Sequence, residues 1–274
     1  LPAEFQEDLD AAVNWGDGHA YFFKADRYVR YNIGNDTVDV GPVEIAKFWT
    51  ALPAEFQENL DATVNWSQVS HWERLNLDRR LLYVMERLVE RYAYPVNGAA
   101  GIVGNLVAES GVIPNRVEGS AESTPMRSKN FGGTVVNHTA DDIMNRSAAH
   151  HVGPALPGIG LAQWTSSARR ARLFTHPFGG DGLGARAVFN MDGQVDYLAN
   201  ELRTGFSGVQ ALLTRSTVTV NEACDEVVYN FEVPGAILQG GTKLPRSDQR
   251  VQQVFAQRRL PAKRALNAYR AVHP

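Results

Sequence analysis

One carboxylate, Glu109, falls near the end of a run that is otherwise apolar, AAGIVGNLVAESG. Read as a helix from Gly98, the run sets Ile102, Leu106 and Glu109 on one face, with Val103 and Val107 widening the stripe. Gly111 and Pro114 stop the helix just beyond. A glutamate on a core-facing stripe needs a partner or a shifted proton affinity. Desolvation there would raise its pKa and keep it partly protonated near neutral pH, the state a general acid needs.

Two more segments carry residues that could work with it. GIGLAQWTSSARRARLF (158–174) is a glycine-rich turn leading to Gln163 and Trp164 and then into a basic helix. An amide beside an indole can hold a sugar, the ring stacking while the amide bonds hydroxyls; a helix start with a core tryptophan is the plainer alternative. Gly158 and Gly160 would let backbone come close to a ligand. VVYNFEVPG (227–235) sets Tyr229, Phe231 and Glu232 at the end of another helix. His150 and His151 are adjacent, so they point to different sides, and no metal-ligand spacing accompanies them; surface histidines are expected and no metal or cofactor.

The elements that must position these residues are mainly helical. Apolar residues recur at helical spacing from Leu75 to Tyr92, ending at Pro95. Helices are also expected at 186–204, at 221–232 with Asn221 as N-cap, and at 247–259 with Ser247 as N-cap, after which Pro261 breaks the pattern and AKRALNAYRAV (262–272) resumes it. From Gly111 to Gly160 runs a stretch rich in Gly, Ser, Asn and Thr, with one short helix near Asp141–Arg146; a loop so long is more often functional than idle.

The N-terminal part is different. LPAEFQEDLDAAVNW (1–15) returns as LPAEFQENLDATVNW (52–66), an offset of 51 residues that suggests a propeller blade. Between the copies lie strand-like runs, AAVNW, HAYFFKAD and RYVRYNI, separated by GDG and GND turns in which Gly would supply positive φ. PVEIAKFW (42–49) reads as a short helix closing the blade. Residues 1–66 hold 4 Lys+Arg against 12 Asp+Glu, and the remainder 23 against 18, so an acidic unit precedes a basic one. Domains are expected at 1–66 and 75–274, joined by a linker at 67–74.

In all, the 274 residues are 44% hydrophobic and 21% charged. The single cysteine, Cys224, excludes an intrachain disulfide and a Cys-rich metal site. No stretch approaches a membrane span. The chain opens at Leu1 in mid-pattern with no signal peptide, which suggests a processed or dissected piece of something longer. The basic part would be drawn to anionic polymers, although five extra charges are also an ordinary solvated surface. Nucleic-acid binding has no motif behind it, and the aromatic residues do not interleave with the basic ones.

Two family resemblances follow. DAAVNWGDGHAYFFKADRYVRYN resembles the hemopexin-like repeat, through Ala11–Val13, Tyr21–Phe23 and Tyr28–Tyr31. It covers one blade and the first strand of the next. It implies a small all-β binding module, often with a channel ion, that other blades or other chains would complete, or else a purely linking blade. AESG at 108–111, GLAQW at 160–164 and YNFE at 229–232 together resemble the phage tail lysozyme family of the lysozyme superfamily, over residues ~75–270.

That resemblance implies a mainly α lysozyme-like domain that cleaves the β-1,4 bond of bacterial peptidoglycan. Glu109 would be the general acid, Glu232 would shape its surroundings, and Ser110, Gly160, Gln163, Trp164 and Tyr229 would bind substrate; a core tyrosine is nearly as good a reading of Tyr229. Hydrolysis would use a second carboxylate, with Glu118, Glu122, Asp141, Asp142 and Glu232 as candidates and Glu232 ranked first. A lytic transglycosylase would reuse Glu109 as base and release a 1,6-anhydro product. A non-catalytic cell-wall binder is the reading from a different class. Arg169, Arg170 and Arg172 could touch peptidoglycan carboxylates or form a solvated helix face. The implied setting is a phage-tail or injection component, a secreted enzyme, or a delivered antibacterial toxin.

Overall fold

The computed structural model describes residues 1–14, 19–60, 72–145 and 155–273. The chain divides into two compact units, Leu1–Val69 and Ser70–Pro274.

In the first unit, aromatic and β-branched runs form an antiparallel meander. Its strands are β1 (Ala11–Asn14), β2 (His19–Lys24), β3 (Arg27–Asn32) and β4 (Thr37–Glu44), paired in chain order. Helix α1 (Ile45–Phe48) follows. Ala11 and Val13 are buried while Ala12 and Asn14 are exposed, the alternation of a sheet with one covered face. Phe23, Tyr28 and Ile45 complete that core, with Trp49 edge-on to Phe23 at 5.4 Å between ring centroids.

Two expectations for this unit need correction. Residues 42–44 belong to β4, not to a helix over 42–49: Val40 and Val43 favour the pleated strand, and Pro42 is tolerated because β4 is an edge strand. In the GND turn the left-handed residue is Asp36, with φ 55°, and not Gly34; aspartate tolerates this region by bonding locally. The sheet has four strands, and among the described residues no propeller closes. The GDG turn and the first strand of a second blade lie outside the described residues.

Both copies of the repeat make the same 3₁₀ turn, Ala3–Phe5 and Ala54–Phe56. Pro2 has φ −53° and ψ 148°, and Pro53 has φ −55° and ψ 149°. Their environments differ: Phe5 is 1% exposed and Phe56 54%.

The second unit is built around one helix. Asn76 caps α2 (Leu77–Glu86), which runs on into a wider π-helical turn at Arg87–Arg91. Trp72, assigned above to a linker, is buried in this unit and donates Nε1 to the Phe189 carbonyl at 3.0 Å. Helix α3 (Val96–Ser110) is buried almost all round as far as Leu106. The 111–160 stretch is not structureless. It holds the hairpin β5 (Arg127–Lys129) and β6 (Val135–Asn137), then α4 (Ala140–Met144), capped reciprocally by Thr139 and Asp142. His150 and His151 lie outside the described residues. The hairpin β7 (Ala155–Ile159) and β8 (Trp164–Ser166) leads into α5 (Ser167–Thr175). Then come α6 (Met191–Gly205), α7 (Ser207–Leu213), α8 (Val220–Glu226) and α9 (Gln249–Arg270).

Glycine explains how α3 packs. A Cβ on Gly98 would lie 2.2 Å from the Leu213 carbonyl oxygen, one on Gly101 2.5 Å from the Ala223 Cβ, and one on Gly104 2.6 Å from the Ala262 backbone. The three glycines let the end of α7 and the middles of α8 and α9 approach to backbone contact. Asn105 donates Nδ2 to the carbonyls of Gly101 and Cys224 at 2.9 and 3.1 Å, tying α3 to α8. Cys224 is free and buried, and burial pushes its thiol up to about 12.

Capping chemistry moved three helix boundaries. Thr219, not Asn221, caps α8, in a capping box with Glu222. Asp248, not Ser247, caps α9 by accepting from Arg250 N at 2.9 Å. Asn190 caps α6, and Gly184–Val188 forms a separate 3₁₀ turn before it. Pro261 does not end α9. Ala262, the residue after it, seats on Gly104, and tertiary packing outweighs the missing hydrogen bond. Among the described residues no helix is long and apolar enough to cross a membrane.

Candidate active site

The last turn of α3 opens onto a polar cleft of about 450 Å³. Three carboxylates, Glu109, Glu118 and Glu232, and three guanidinium groups, Arg116, Arg169 and Arg258, line it together with Gln163 and Thr165. One wall is the loop after α3 laid against the β7–β8 hairpin. Gly160 N donates to the Arg116 carbonyl at 2.9 Å, Glu118 N donates to the Gly158 carbonyl at 2.8 Å, and Gly158 N donates to Glu118 Oε2 at 2.8 Å.

Glu109 is half-buried at the cleft rather than sunk in the core; its helix emerges at Val107 and Ala108. Its partner is Arg258 on α9, whose Nη2 donates to Oε1 at 2.7 Å. The second Arg258 amino group reaches the Asn105 carbonyl at 3.4 Å.

Glu232 arrives by a different device. After α8 the chain widens into a π-helical turn, Val227–Glu232, and Val233 then takes φ 47°. Left-handed backbone at a β-branched residue is strained, and strain of this kind gathers at ligand sites. The turn brings Glu232 to the cleft with Oε1 sealed from solvent and without a hydrogen-bond partner among the described residues, although the residue as a whole is only partly buried. Burial pushes the Glu232 carboxyl well above the ordinary carboxylate range, the charge of Glu109 pushes it further, and Arg169 and Arg258 pull against both. The charged form of Glu232 is thus disfavoured.

Arg169 is already engaged. Its Nε and Nη2 donate to the two oxygens of Glu201 on α6, each at 2.8 Å, and its guanidinium lies 4.6 Å over the Phe231 ring. Glu201 also accepts Trp164 Nε1 at 2.8 Å.

The residues singled out in the sequence therefore fall into three groups. Glu109, Glu232 and Gln163 line the cleft; Gln163 has φ 44°, and its Nε2 donates to the Arg116 and Gly160 carbonyls, each at 2.9 Å. Ser110, Gly160 and Trp164 are buried supports. Ser110 Oγ lies 2.8 Å from the Leu161 carbonyl, which accepts from it, and a Cβ on Gly160 would meet Gln194 Oε1 at 2.5 Å. Trp164 is fully buried, so its ring has no face to stack on a sugar; the core alternative holds. Tyr229 is outside the lining and donates its hydroxyl to the Leu244 carbonyl at 2.8 Å.

Of the other carboxylate candidates, Glu118 lines the cleft, Glu122 packs beside Gly111, and Asp141 and Asp142 lie in the first turn of α4. Arg170 is buried and donates to the Pro157 and Ile143 carbonyls at 2.7 and 2.6 Å, so it is no solvated face. Arg258, Arg116 and Glu201 carried no motif. An arginine on the stripe Phe255–Arg258–Ala262 was the one available signal, since Phe255 and Ala262 are buried. Among the described residues no cluster of His, Cys, Asp and Glu could hold a metal ion.

A polar cleft between helices with paired carboxyls of unlike surroundings is an arrangement found in glycosidases. The family model for phage tail lysozyme matches residues 79–268, and the one for hemopexin matches residues 9–54. The chain belongs to the phage tail lysozyme family and carries a hemopexin repeat at 9–54. No curated protein and no solved structure gives a significant match. Membership supports a peptidoglycan-lytic function in general.

Proposed function

We propose that the chain hydrolyses the β-1,4 bond between MurNAc and GlcNAc in bacterial peptidoglycan, with Glu109 and Glu232 acting as a pair that holds one proton. What supports this reading is the contrast within one cleft: Glu109 faces the Arg258 cation, while Glu232 Oε1 is sealed, without a partner among the described residues, and burial biases that carboxyl toward its protonated form. Glu232 keeps the proton between turnovers. Cleft water relays it to Glu109, whose side chain opens to the cleft and which gives it to the glycosidic oxygen, leaving Glu232 as the carboxylate. The bond from the sugar carbon to that oxygen breaks, its electrons stay with the oxygen, and an oxocarbenium-like centre develops. Water attacks that carbon and returns a proton to the pair. The hemopexin repeat serves as a targeting module, and the family fits a tail-associated or secreted enzyme acting on the wall.

Mass spectrometry of soluble products from purified peptidoglycan tests this. Reducing MurNAc ends are expected. A 1,6-anhydro product would replace hydrolysis by transglycosylation, with Glu109 as sole acid and base. No product from folded protein would leave a wall-binding protein.

A further inference from the structure

We propose that Glu201 is a positioning residue: it grips the Arg169 guanidinium at the cleft wall and denies it to Glu232 as an ion-pair partner. The inference rests on the reading of Glu109 and Glu232 as the working pair.

Arg169 and Glu232 border the same cleft, and the Arg169 guanidinium carbon stands 4.6 Å from the ring centroid of Phe231, the residue before Glu232. The two charges act on one another, and a guanidinium that reached the carboxyl would bond to it. Instead two of its three nitrogens go to Glu201, and Glu232 Oε1 has no partner among the described residues. Glu201 is only 5% exposed, and a carboxylate that deep needs saturation by donors. It has it: Arg169 twice, Trp164 Nε1 at 2.8 Å, and the Tyr197 hydroxyl, whose oxygen lies 3.1 Å from Oε1 and 2.8 Å from the Arg169 carbonyl. The grip is therefore fixed from α5, α6 and β8 together and does not depend on Glu232. A buried pair that merely filled space would be replaceable by apolar side chains. This one sits where its release would abolish the proton store.

The charged groups that act on Glu232 are Glu109 from α3, Arg169 from α5, Glu201 from α6 and Arg258 from α9, with Arg116 and Glu118 across the cleft. Two substitutions then act with opposite sign. Glu201→Gln removes a negative charge and frees Arg169 to reach Glu232, so Glu232 gives up its proton more readily. Arg169→Met removes a positive charge and makes Glu232 hold its proton more tightly. The charge changes alone already give these signs; Arg169→Lys, which keeps the charge and loses the two-pronged grip, separates release of the cation from a plain charge effect.

The experiment is a carboxyl-carbon NMR titration of Glu232 in the full chain, assigned with Glu232→Gln, alongside the pH profile of wall lysis. In Glu201→Gln the Glu232 midpoint and the alkaline limb of lysis should both fall by about 1–3 pH units, and in Arg169→Met both should rise. Folded variants whose midpoints do not move, or move the same way, overturn the inference. If Glu201→Gln does not fold, Arg169→Met and Arg169→Lys carry the test: Lys keeps the charge without the two-pronged grip, so a midpoint that rises in Met and falls in Lys supports the inference, and an unmoved midpoint in both overturns it. A wild-type protein that lyses no wall while the titrations shift as stated removes the catalytic reading and leaves the Glu201–Arg169 relation standing. Lysis with unmoved titrations does the reverse.

Discussion

Arg258 Nη2 stands 2.7 Å from Glu109 Oε1, joining two helices whose residues are 149 positions apart. The side chains are 14% and 19% exposed, so the pair is shielded enough to matter and open enough to meet a ligand. Arg258→Met strands the Glu109 carboxylate with no cation. The expected cost is about 1–3 kcal/mol, read as a lower midpoint in thermal or denaturant unfolding. An unchanged midpoint would show that the pair contributes nothing to the fold.

Glu109→Gln should lower wall lysis by about 100-fold or more, the scale of a lost acid–base group. The amide oxygen can still accept from Arg258 without the charge, so the variant should stay folded, with a melting temperature lowered by no more than in Arg258→Met. A folded variant that still lyses walls would remove Glu109 from the chemistry.

For Glu232 the sign of the pH dependence is fixed. Its folded pKa lies above the value near 4.5 of an ordinary glutamate. Below that pH both states are protonated, and the full stability is present. As pH rises past it, the unfolded chain releases the proton while the folded chain retains it. Stability then falls by about 1.4 kcal/mol per pH unit until the folded pKa is passed. Glu232→Gln removes this loss, so its stability relative to wild type should grow from pH 4 toward pH 8. Parallel curves in chemical denaturation over that range would refute the buried, protonated carboxyl.

Two glycines make a matched pair. At Gly104 a methyl would meet the Ala262 backbone, whereas at Gly208, inside α7, nothing lies within 4 Å. Gly104→Ala should destabilise by about 1–3 kcal/mol or more, since backbone cannot yield as a side chain can. Gly208→Ala should stabilise by about 0.4–1 kcal/mol through the unfolded state. Differential scanning calorimetry of the two variants gives the comparison.

The repeat offers another matched pair. Phe5→Ala should cost the N-terminal unit about 3–5 kcal/mol. Phe56→Ala, at the equivalent place in the second copy, should change stability by no more than about 0.5 kcal/mol. Hydrogen exchange at the amides of β2 and β3 reads that unit directly.

The sequence showed what is local. The helix ending at Ser110 was visible from its apolar stripe and its stop signals, and the first three strands of the N-terminal sheet from their short apolar and aromatic runs. Motif order led to both families. What stayed hidden depends on partners far along the chain. Trp164 reads equally well as a sugar platform or a core indole until Glu201, 37 residues on, is seen to take its N–H. Arg169 looks like a free surface cation until the same carboxylate claims it. The π-helical turn at 227–232 keeps helical composition, so nothing in the letters distinguishes it from an ordinary last turn, yet it sets where Glu232 points. Pro261 misled because the local rule is sound and packing overrode it.

The glycine face of α3 has a consequence for how activity arises during synthesis. Glycine is a poor helix former, by about 1 kcal/mol each relative to alanine, and Gly98, Gly101 and Gly104 all lie in this helix. The helix that presents Glu109 is thus weak by itself and takes its order from α8 and α9, made more than a hundred residues later. A nascent chain that has emerged only as far as Glu109 has the residue but not the rigid arm that aims it, nor Arg258 to hold it. On the proposed reading, lytic competence waits for α8 and α9 to dock on α3, and a product truncated before residue 220 is expected to be silent.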